Sequence, residues 1–314
     1  MMADPRVGVV VLTYNRADDL SRTLTRMLAV PERPSIVVVD NGSSDGTPAV
    51  VAQRFPGVTL VRLAANAGAA GRNAGVARVD APYVAFCDDD TWWAPDSLRR
   101  GADLLDAHPS LAVITARVLV GPGEREDPTC TEMAASPLDR EPGLPGAPIL
   151  GFLAGASIVR RNAFLAVGGY EPRFFIGGEE ALVAVDLVAR GWGLAYVPEL
   201  TVHHHPSPRR ESRRRHGLVV RNALWFAWLR RPLASALRVT VSTVMAERAS
   251  ASGLQGCVAA LAGAGWIAKA RRVVPPHVEA RLARLERARS RRTFRAPARG
   301  TPPPPAREDT TRAA

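Results

Sequence analysis

The chain has 314 residues, a formal net charge of +11 and 46% hydrophobic residues. This length and apolar content allow one large domain or two small ones with a buried core, and they exclude a wholly disordered or fibrous protein. Its three cysteines are odd in number and lack CxxC spacing, so they suggest neither a disulfide framework nor a zinc site and favour a reducing cytosol.

The positive charge belongs to the C-terminal third of the chain. Residues 1–208 contain 18 arginines and 24 acidic residues, whereas residues 209–314 contain 23 arginines and lysines and 6 acidic residues. The basic part predicts an anionic binding partner or a solvated tail rather than a basic active site. The first residues, MMADPR, lead directly into an apolar strand, so no signal peptide is expected.

Strands and helices alternate over the first 120 residues. Val7–Thr13 is a continuous apolar, β-branched run, typical of a central strand covered on both faces. A helix that ends before Pro31 separates it from a second buried strand, Ser35–Asp40, which makes a parallel βαβ unit. The same patterns predict further strands at Val58–Leu63, Pro82–Cys87 and Leu111–Val120, and helices that begin at Thr47 and span Pro95–Ala107.

Polar loops follow these strands. They are Tyr14–Arg16, the tight turn at 40–47 with the sequence DNGSSDGT, and a small-residue segment at 65–77. Ligands bind at the carboxyl ends of strands in open α/β sheets, so a nucleotide site is expected here. Arg72 could meet a phosphate and Asn73 a carbonyl or ribose. For segment 65–77 taken by itself, a helix packed closely through Ala and Gly is the favoured alternative.

Three consecutive carboxylates, Asp88, Asp89 and Asp90, end the apolar run that starts at Pro82. Neighbouring like charges are costly in a folded protein unless a cation or hydrogen-bond donors gather around them. Carboxylates suit Mg²⁺ or Mn²⁺, whose remaining ligands can be water and phosphate oxygens. The alternative is a solvated acidic turn, or an Asp-rich helix N-terminus before Pro95.

The second half of the N-terminal region is less regular. Residues 121–148 are rich in Pro, Gly and acids, which predicts a mobile surface loop, and Gly151–Arg160 returns to the core. Two short strands, Leu194–Val197 and Leu200–Val202, then lead into three histidines at 203–205. These histidines could form a zinc site, but no Cys or carboxylate stands at the usual spacing, and a strand-end loop is the other interpretation.

A glycine-rich turn precedes a second pair of carboxylates. Glu179 and Glu180 begin a predicted helix, Glu179–Arg190, whose apolar residues recur at helical spacing. Negative charge is favoured at a helix N-terminus.

Residues 209–314 combine arginine clusters with apolar segments. The uncharged segment Ala249–Ala268 is diluted by Ser, Gly and Gln, which favours interfacial contact with a membrane over a spanning helix. The other predicted segments are helices Leu218–Leu229, Pro232–Met245 and Val278–Arg292, and a disordered tail from residue 293 to residue 314.

Several motifs, taken in order, resemble landmarks of the family 2 glycosyltransferases. They are VVVLTYNR, VVVDNGSSDGT, the Gly- and Asn-rich run at 65–77, FCDDDTWW, GGEE with RGW and VPE, and HHHP. The resemblance runs from Val7 to about Trp228. It implies an α/β fold of the GT-A type, with a Rossmann-like, mixed, mostly parallel sheet flanked by helices, to which a C-terminal helical extension is added.

The resemblance also implies a reaction. A family member moves a sugar, with inversion, from a nucleoside diphosphate sugar to an acceptor hydroxyl, with Mg²⁺ or Mn²⁺ as cofactor. Synthesis of cell-envelope polysaccharide or glycolipid is the expected setting, so the acceptor could be lipid-linked. The predicted organisation is a glycosyltransferase domain at 1–208, divided into a nucleotide-sugar-binding half at 1–115 and an acceptor-binding half at 116–208, with a basic helical extension at 209–292.

The family's functional positions carry over residue by residue. The implied metal ligands are Asp88, Asp90 and His204, and the implied general base is Glu180 with Glu179 beside it. Two departures are a Glu at the base position, where Asp is commoner, and Leu182, where the family often has an acid. The implied nucleotide-sugar-binding residues are Thr13, Asn15, Arg16, Asp40, Asn41, Arg72, Asn73, Asp88 and Asp89.

Three other functions compete with this one. A nucleotidyltransferase would share the pocket and the metal, but the N-terminal region lacks a Gly-rich signature with a Lys. A non-catalytic membrane-associated subunit would not need Asp88, Asp90 and Glu180. A nucleic-acid-binding arm would need more aromatic residues than the Arg-rich end contains, so no nucleic acid is expected as a partner.

The basic region predicts peripheral contact with an anionic membrane, at the inner face of the cell membrane, by a cytoplasmic protein. The segments expected to lie on the bilayer are Leu218–Leu229 and Val278–Arg292. In the alternative, Trp225, Phe226 and Trp228 pack on the catalytic core or in a dimer interface. The sequence leaves the oligomeric state open.

Overall fold

The computed structural model describes residues 4–140, 143–206 and 212–295. Its strands are β1 Val7–Thr13, β2 Ser35–Asp40, β3 Thr59–Arg62, β4 Tyr83–Asp88, β5 Thr91–Trp93, β6 Leu111–Val120, β7 Arg125–Glu126, β8 Ala147–Pro148, β9 Ser157–Arg160 and β10 Gly193–His204. Its helices are α1 Ala17–Leu28, α2 Thr47–Arg54, α3 Gly71–Arg78, α4 Ser97–Ala107, α5 Pro128–Ala134, α6 Arg161–Ala166, α7 Glu179–Val188, α8 Ser212–Arg230, α9 Leu233–Glu247, α10 Ala251–Leu261, α11 Ala264–Ala270 and α12 Pro276–Arg295.

One mixed sheet organises the described chain, in the strand order β3-β2-β1-β4-β9-β6-β10-β5, with β7 beside β6 and β8 beside β10. Strands β3, β2, β1 and β4 are parallel, and so are β6 and β10. The antiparallel ladders are short, so most paired residues lie in parallel ladders. This confirms the predicted α/β sheet.

The central strands are buried because their residues are apolar on both faces. Each of the first five residues of β1 is buried, as a strand between two layers of helices requires. The parallel register brings three strand ends to one edge, since Thr13 pairs with Asp40 while Leu12 pairs with Asp88. Gly75 of α3 lets this helix approach β1 closely, because a Cβ there would lie 2.5 Å from Val10. The helical interpretation of segment 65–77 is therefore correct from residue 71 onward.

Part of segment 121–148, expected to be a mobile surface loop, has regular structure. It contains β7, α5 and β8, while residues 141 and 142 lie outside the described residues. Asp127 caps α5 by accepting a hydrogen bond from the Thr129 N–H at 2.8 Å, and Pro128 suits the first turn. Cys130 is fully buried on this helix, which anchors the segment to the core.

The two strands predicted at 194–197 and 200–202 are one strand, β10. Its register against β6 shifts between Val197 and Thr201. Pro198 has no N–H to donate to a ladder, so an irregularity here lets one strand continue past it. The continuation carries His203 and His204 to the sheet edge beside β5.

The C-terminal helices pack on the sheet and on the helices that flank it. Val274 and Val278 belong to the main apolar core, and Trp225 packs with Phe174 and Leu182. The surfaces predicted to face a membrane on Leu218–Leu229 and Val278–Arg292 are therefore largely covered. The alternative, in which the aromatic residues of α8 pack on the catalytic core, is the arrangement observed.

Two boundaries in this region differ from prediction. The uncharged segment 249–268 is divided between α10 and α11, which are bent by 59°. Among the described residues, no single helix has the length and apolar content needed to cross a membrane, although this bent pair together meets both criteria. Helix α12 continues to Arg295, beyond the predicted start of a disordered tail at 293, and residues 296–314 lie outside the described residues.

Strand β6 crosses the predicted boundary between residues 115 and 116, so the two halves of the proposed catalytic domain share one sheet.

Candidate active site

Arginines neutralise the acidic cluster at the end of β4. Asp88 forms an ion pair with Arg72, whose side chain is buried. Gly155 makes room for this carboxylate, because a Cβ at position 155 would lie 2.7 Å from Asp88 Oδ2. Burial is the largest single influence on the pKa of Arg72 and lowers it, but the combined effects of Asp88, Tyr170, Glu180 and Glu179 outweigh burial, so this pKa is raised.

The other two aspartates of the cluster are buried beneath the end of β1. Arg16 Nη1 lies 3.0 Å from Asp89 Oδ1 and 3.1 Å from Asp90 Oδ2. The Thr13 hydroxyl donates to Asp89 Oδ2 at 3.1 Å. Burial raises the pKa of Asp89 to about 7, although Arg16 acts in the opposite direction. Thr13 and Arg16, both predicted to bind the nucleotide sugar, thus each contact Asp89, a third such residue.

One histidine of the three reaches the acidic cluster. His204 Nε2 lies 3.5 Å from Asp90 Oδ1. His203 instead stacks on Trp92 and contacts Glu124, and His205 packs against the same tryptophan. The strand pleat explains the difference, because neighbouring residues of β10 point to opposite faces.

The three predicted metal ligands do not form a preassembled site. Across the described ranges, no three carboxylate, histidine or cysteine side chains are grouped as metal ligands. Asp90 and His204 are adjacent, whereas Asp88 faces Arg72. Mg²⁺ and Mn²⁺ need few protein ligands when phosphate oxygens and water complete the shell. The pair Asp90 and His204 therefore fits a metal ion that a diphosphate helps to hold.

The loops after β1 and β2 brace each other. Asn15 has a left-handed backbone, with φ 54°, and its N–H donates to Ser43 Oγ at 2.9 Å. The Asn15 side-chain oxygen accepts from the Ser44 N–H at 2.8 Å. Asp40 is buried; its Oδ1 accepts from the Ser43 N–H, while its Oδ2 makes no hydrogen bond and lies 3.8 Å from Arg62 Nε. Asp40 Oδ2 is therefore an acceptor for which a ligand could supply the donor.

Two predicted ligand-binding asparagines make their hydrogen bonds within the protein. The Asn41 amide donates to Asn66 and to the Gly68 carbonyl, and its oxygen accepts from the Ala67 N–H. Asn73 donates to the Tyr170 carbonyl at 2.8 Å and accepts from the Tyr170 N–H at 3.0 Å. These side-chain contacts shape the loops around the site, and direct contact of Asn41 and Asn73 with the nucleotide sugar stays a prediction.

The paired glutamates start α7 after a strained turn. Phe175, Gly177 and Gly178 all have positive φ, at 62°, 92° and 91°. Glu179 is buried with its Oε2 lacking a hydrogen-bond partner, while Glu180 is partly exposed. Burial, reinforced by repulsion from Glu179, raises the pKa of Glu180 to about 8. Burial likewise raises the pKa of Glu179. A carboxyl with a pKa near neutrality is suited to act as a general base.

Two residues that sequence reasoning missed surround these glutamates. Tyr170 is fully buried, and its hydroxyl has no hydrogen-bond partner. Its pKa is raised by burial, and the charges of Arg72, Glu179 and Glu180 act on it, so these groups share one region. Asn222 of α8, also fully buried, donates to the carbonyls of the turn before Glu179. The sequence signal for Asn222 is an amide side chain inside the mostly apolar run LVVRNALWFAWL.

Comparison with known proteins gives this geometry a context. The sequence profile of Glycosyl transferase family 2 matches residues 8–168. The chain is 31% identical over 239 residues, 63% of its own length and 75% of the relative's, to the N-acetylglucosaminyl-diphospho-decaprenol L-rhamnosyltransferase of Mycobacterium tuberculosis. It is 41% identical over 106 residues, 33% of its length and 30% of the relative's, to the succinoglycan biosynthesis protein ExoO of Rhizobium meliloti.

A solved structure has the same fold. The mannosyltransferase PcManGT from Pyrobaculum calidifontis, in complex with GDP-Man and Mn²⁺, superposes with a TM-score of 0.55 at 19% identity. The match covers 93% of this chain and 89% of that protein. The sheet edge has an acidic cluster at the end of β4, and a separate glutamate pair begins α7. The chain that carries them belongs to glycosyltransferase family 2 and has the GT-A fold.

Proposed function

We propose that this glycosyltransferase moves a hexosyl or deoxyhexosyl group, with inversion, from a nucleoside diphosphate sugar to an acceptor hydroxyl, with Glu180 as general base. The arrangement around Arg72 carries the proposal. This buried arginine pairs with Asp88, and the charges of Glu179 and Glu180 also act on it. A site for an anionic leaving group and a separate base would then lie near one cation.

The chemistry needs no covalent intermediate. The acceptor oxygen attacks the anomeric carbon while Glu180 takes its proton, and the bond to the diphosphate oxygen breaks on the opposite face. The leaving diphosphate gains negative charge, which Arg16 and Arg72 would stabilise. Burial and the neighbouring Glu179 favour proton uptake by Glu180, because they raise its pKa to about 8.

A divalent metal fits this reaction. Asp90 and His204 would hold Mg²⁺ or Mn²⁺ together with the donor diphosphate, and Asp88 could join them only after release from Arg72. When bound, such an ion supplies Lewis-acid neutralisation of the leaving group.

The acceptor we propose is lipid-linked, with a product that belongs to cell-envelope polysaccharide or glycolipid. Support comes from the Mycobacterium tuberculosis relative, whose name places its acceptor sugar on diphospho-decaprenol. Such a substrate implies that the enzyme works at the cytoplasmic face of the membrane, by peripheral contact.

A thermal-shift screen tests donor binding. Nucleoside diphosphates and nucleotide sugars are added with Mn²⁺, and a ligand of the native state must raise the melting temperature. Donors that bind are then incubated with polyprenyl-diphosphate-linked sugars, and nucleoside diphosphate release is measured beside a Glu180→Gln control. Donor binding without release from any acceptor would favour the non-catalytic subunit, and the absence of any binding would contradict the proposal.

A further inference from the structure

Helices α9 and α10 carry an uncovered apolar surface. Six of their large apolar side chains are 53% to 73% exposed. Among the other large apolar side chains whose exposure the structure describes, none is more than half exposed. We call this surface the α9–α10 face; its residues are Leu233, Leu237, Val241, Met245, Val258 and Leu261.

The face has helical periodicity. Its α9 members recur every four residues from Leu233 to Met245, which places them on one side of the helix. Val258 and Leu261 are three residues apart on α10 and share a side in the same way. Both helices pack on α8 and contact each other, so the exposed stripes are the sides that α8 does not cover. Concentrated apolar exposure of this kind marks an interaction surface.

The surrounding charge identifies the kind of partner. Residues 212–295 contain 18 arginines and lysines against three glutamates. All three glutamates are engaged within the protein, Glu247 with His216, Glu279 with Arg231, and Glu286 with Arg231 and Arg238. Arg248 follows the apolar stripe at the end of α9 and is exposed. A second copy of this chain would bring the same positive charge, whereas an anionic bilayer has the opposite charge and an apolar interior.

We infer that the α9–α10 face is the surface by which this protein binds anionic lipid bilayers, with the apolar stripes in the acyl boundary and the arginines at the headgroups. The inference deepens the proposed function, because it says which surface would meet a membrane that carries the acceptor. It replaces Leu218–Leu229 and Val278–Arg292, whose apolar residues are largely covered, and it keeps the interfacial contact expected of Ala249–Ala268, which contains α10.

Helix α8 connects this face to the catalytic turn. Asn222 of α8 hydrogen-bonds the carbonyls of Phe174, Ile176 and Gly177, directly before the glutamate pair. Since α9 and α10 pack on the same helix, a bilayer bound to them would lie at a fixed position relative to Glu180.

Vesicle co-sedimentation of the full chain tests the inference. The probes are vesicles of pure phosphatidylcholine and of equimolar phosphatidylcholine and phosphatidylglycerol. The wild type should bind the anionic vesicles, and the double variant L237E/V241E should bind at least about tenfold less, because two acyl contacts become charges. The matched control is L28E/L165E, which changes two partly exposed apolar residues of α1 and α6 and should bind like the wild type.

Each contrary outcome overturns the inference. Equal vesicle binding by L237E/V241E and the wild type would show that the face does not touch lipid. A wild type that does not bind vesicles but dimerises in sedimentation velocity, with a monomeric L237E/V241E variant, would identify a dimer interface. Thermal unfolding checks that both double variants are folded. Donor binding by the same proteins reports separately on the proposed function, because neither double variant alters the candidate active site.

Discussion

Asn222 Nδ2 lies 2.7 Å from the carbonyl oxygen of Gly177. This hydrogen bond joins the C-terminal helical extension to the turn that positions Glu179 and Glu180. The same amide lies 2.8 Å from the Phe174 carbonyl oxygen, and the turn it holds has positive φ at three of its residues. Such backbone persists only where surrounding groups fix it. The extension is therefore part of the architecture that positions the glutamate pair.

Replacement of Asn222 by Leu should destabilise the protein and lower turnover. The change leaves buried carbonyls without donors, which costs about 1–3 kcal/mol and lowers the melting temperature by roughly 2–4 °C for each kcal/mol. Turnover should fall while the KM for the donor changes less, because the turn positions the proposed general base and not the loops proposed to bind the nucleotide. Calorimetry and steady-state kinetics measure both effects, with Asn162→Leu, at an exposed position of α6, as control. Equal kinetics in both variants would dismiss the positioning role.

Glu180→Gln should abolish most turnover and leave donor binding intact. A positioned general base contributes about 10²–10⁴-fold to rate, and Gln keeps the size of the side chain without accepting a proton. In the wild type, kcat/KM should rise with pH and level off above about 8, since Glu180 must be ionised to act. The matched variant is Glu179→Gln. If Glu179→Gln removes turnover while Glu180→Gln is mild, the two roles must be exchanged.

Glu180→Gln should be more stable than the wild type at alkaline pH. The folded-state pKa of Glu180, about 8, lies above its ordinary value of 4.5. The protonated form of Glu180 therefore stabilises the folded protein. This contribution is fully present below the ordinary pKa and is lost as pH rises through about 8. Gln does not ionise, so the melting temperature of Glu180→Gln should exceed that of the wild type by several degrees, roughly 3–8 °C, near pH 9, with little difference near pH 4. Glu132→Gln, at an exposed position, should show no such trend.

Nucleoside diphosphate affinity should depend on divalent metal through Asp90. Asp90→Asn removes a charged oxygen ligand and should weaken binding in Mn²⁺ by at least about tenfold. Without metal the two proteins should bind alike. Titration calorimetry with Mn²⁺ and with EDTA compares them. If the wild type binds equally well in both buffers, the metal has no part in donor binding.

Gly155→Ala should weaken donor binding without unfolding the protein. The new methyl would lie 2.7 Å from Asp88 Oδ2, so this carboxylate must shift, which disturbs the position of its ion pair with Arg72. We expect about tenfold lower nucleoside diphosphate affinity with a small change in melting temperature. Gly151→Ala is the matched control, because a Cβ there meets no atom within 4 Å. Equal affinities in the two variants would remove Asp88 from the donor site.

The sequence by itself determined the sheet and the edge at which the site lies. Apolar β-branched runs such as Val7–Thr13 and Ser35–Asp40 can be buried only as central parallel strands, so their polar ends must share one edge. It also determined that Glu179 and Glu180 start a helix, because a glycine turn and apolar periodicity are local signals.

Tertiary structure decided which polar groups meet. Asn41 and Asn73 have amide side chains of the kind that bind ligands, yet both form hydrogen bonds with loop residues distant in sequence. The sequence around Trp225 favours an aromatic residue that faces a membrane, yet Phe174 and Leu182 pack against it. Apolar residues of α9, which gave no such signal, are exposed instead. Local sequence fixes periodicity and turn chemistry through nearest neighbours in the chain. Burial and pairing depend on contacts between residues far apart in sequence, such as Asn222 with Gly177, which only the packed fold creates.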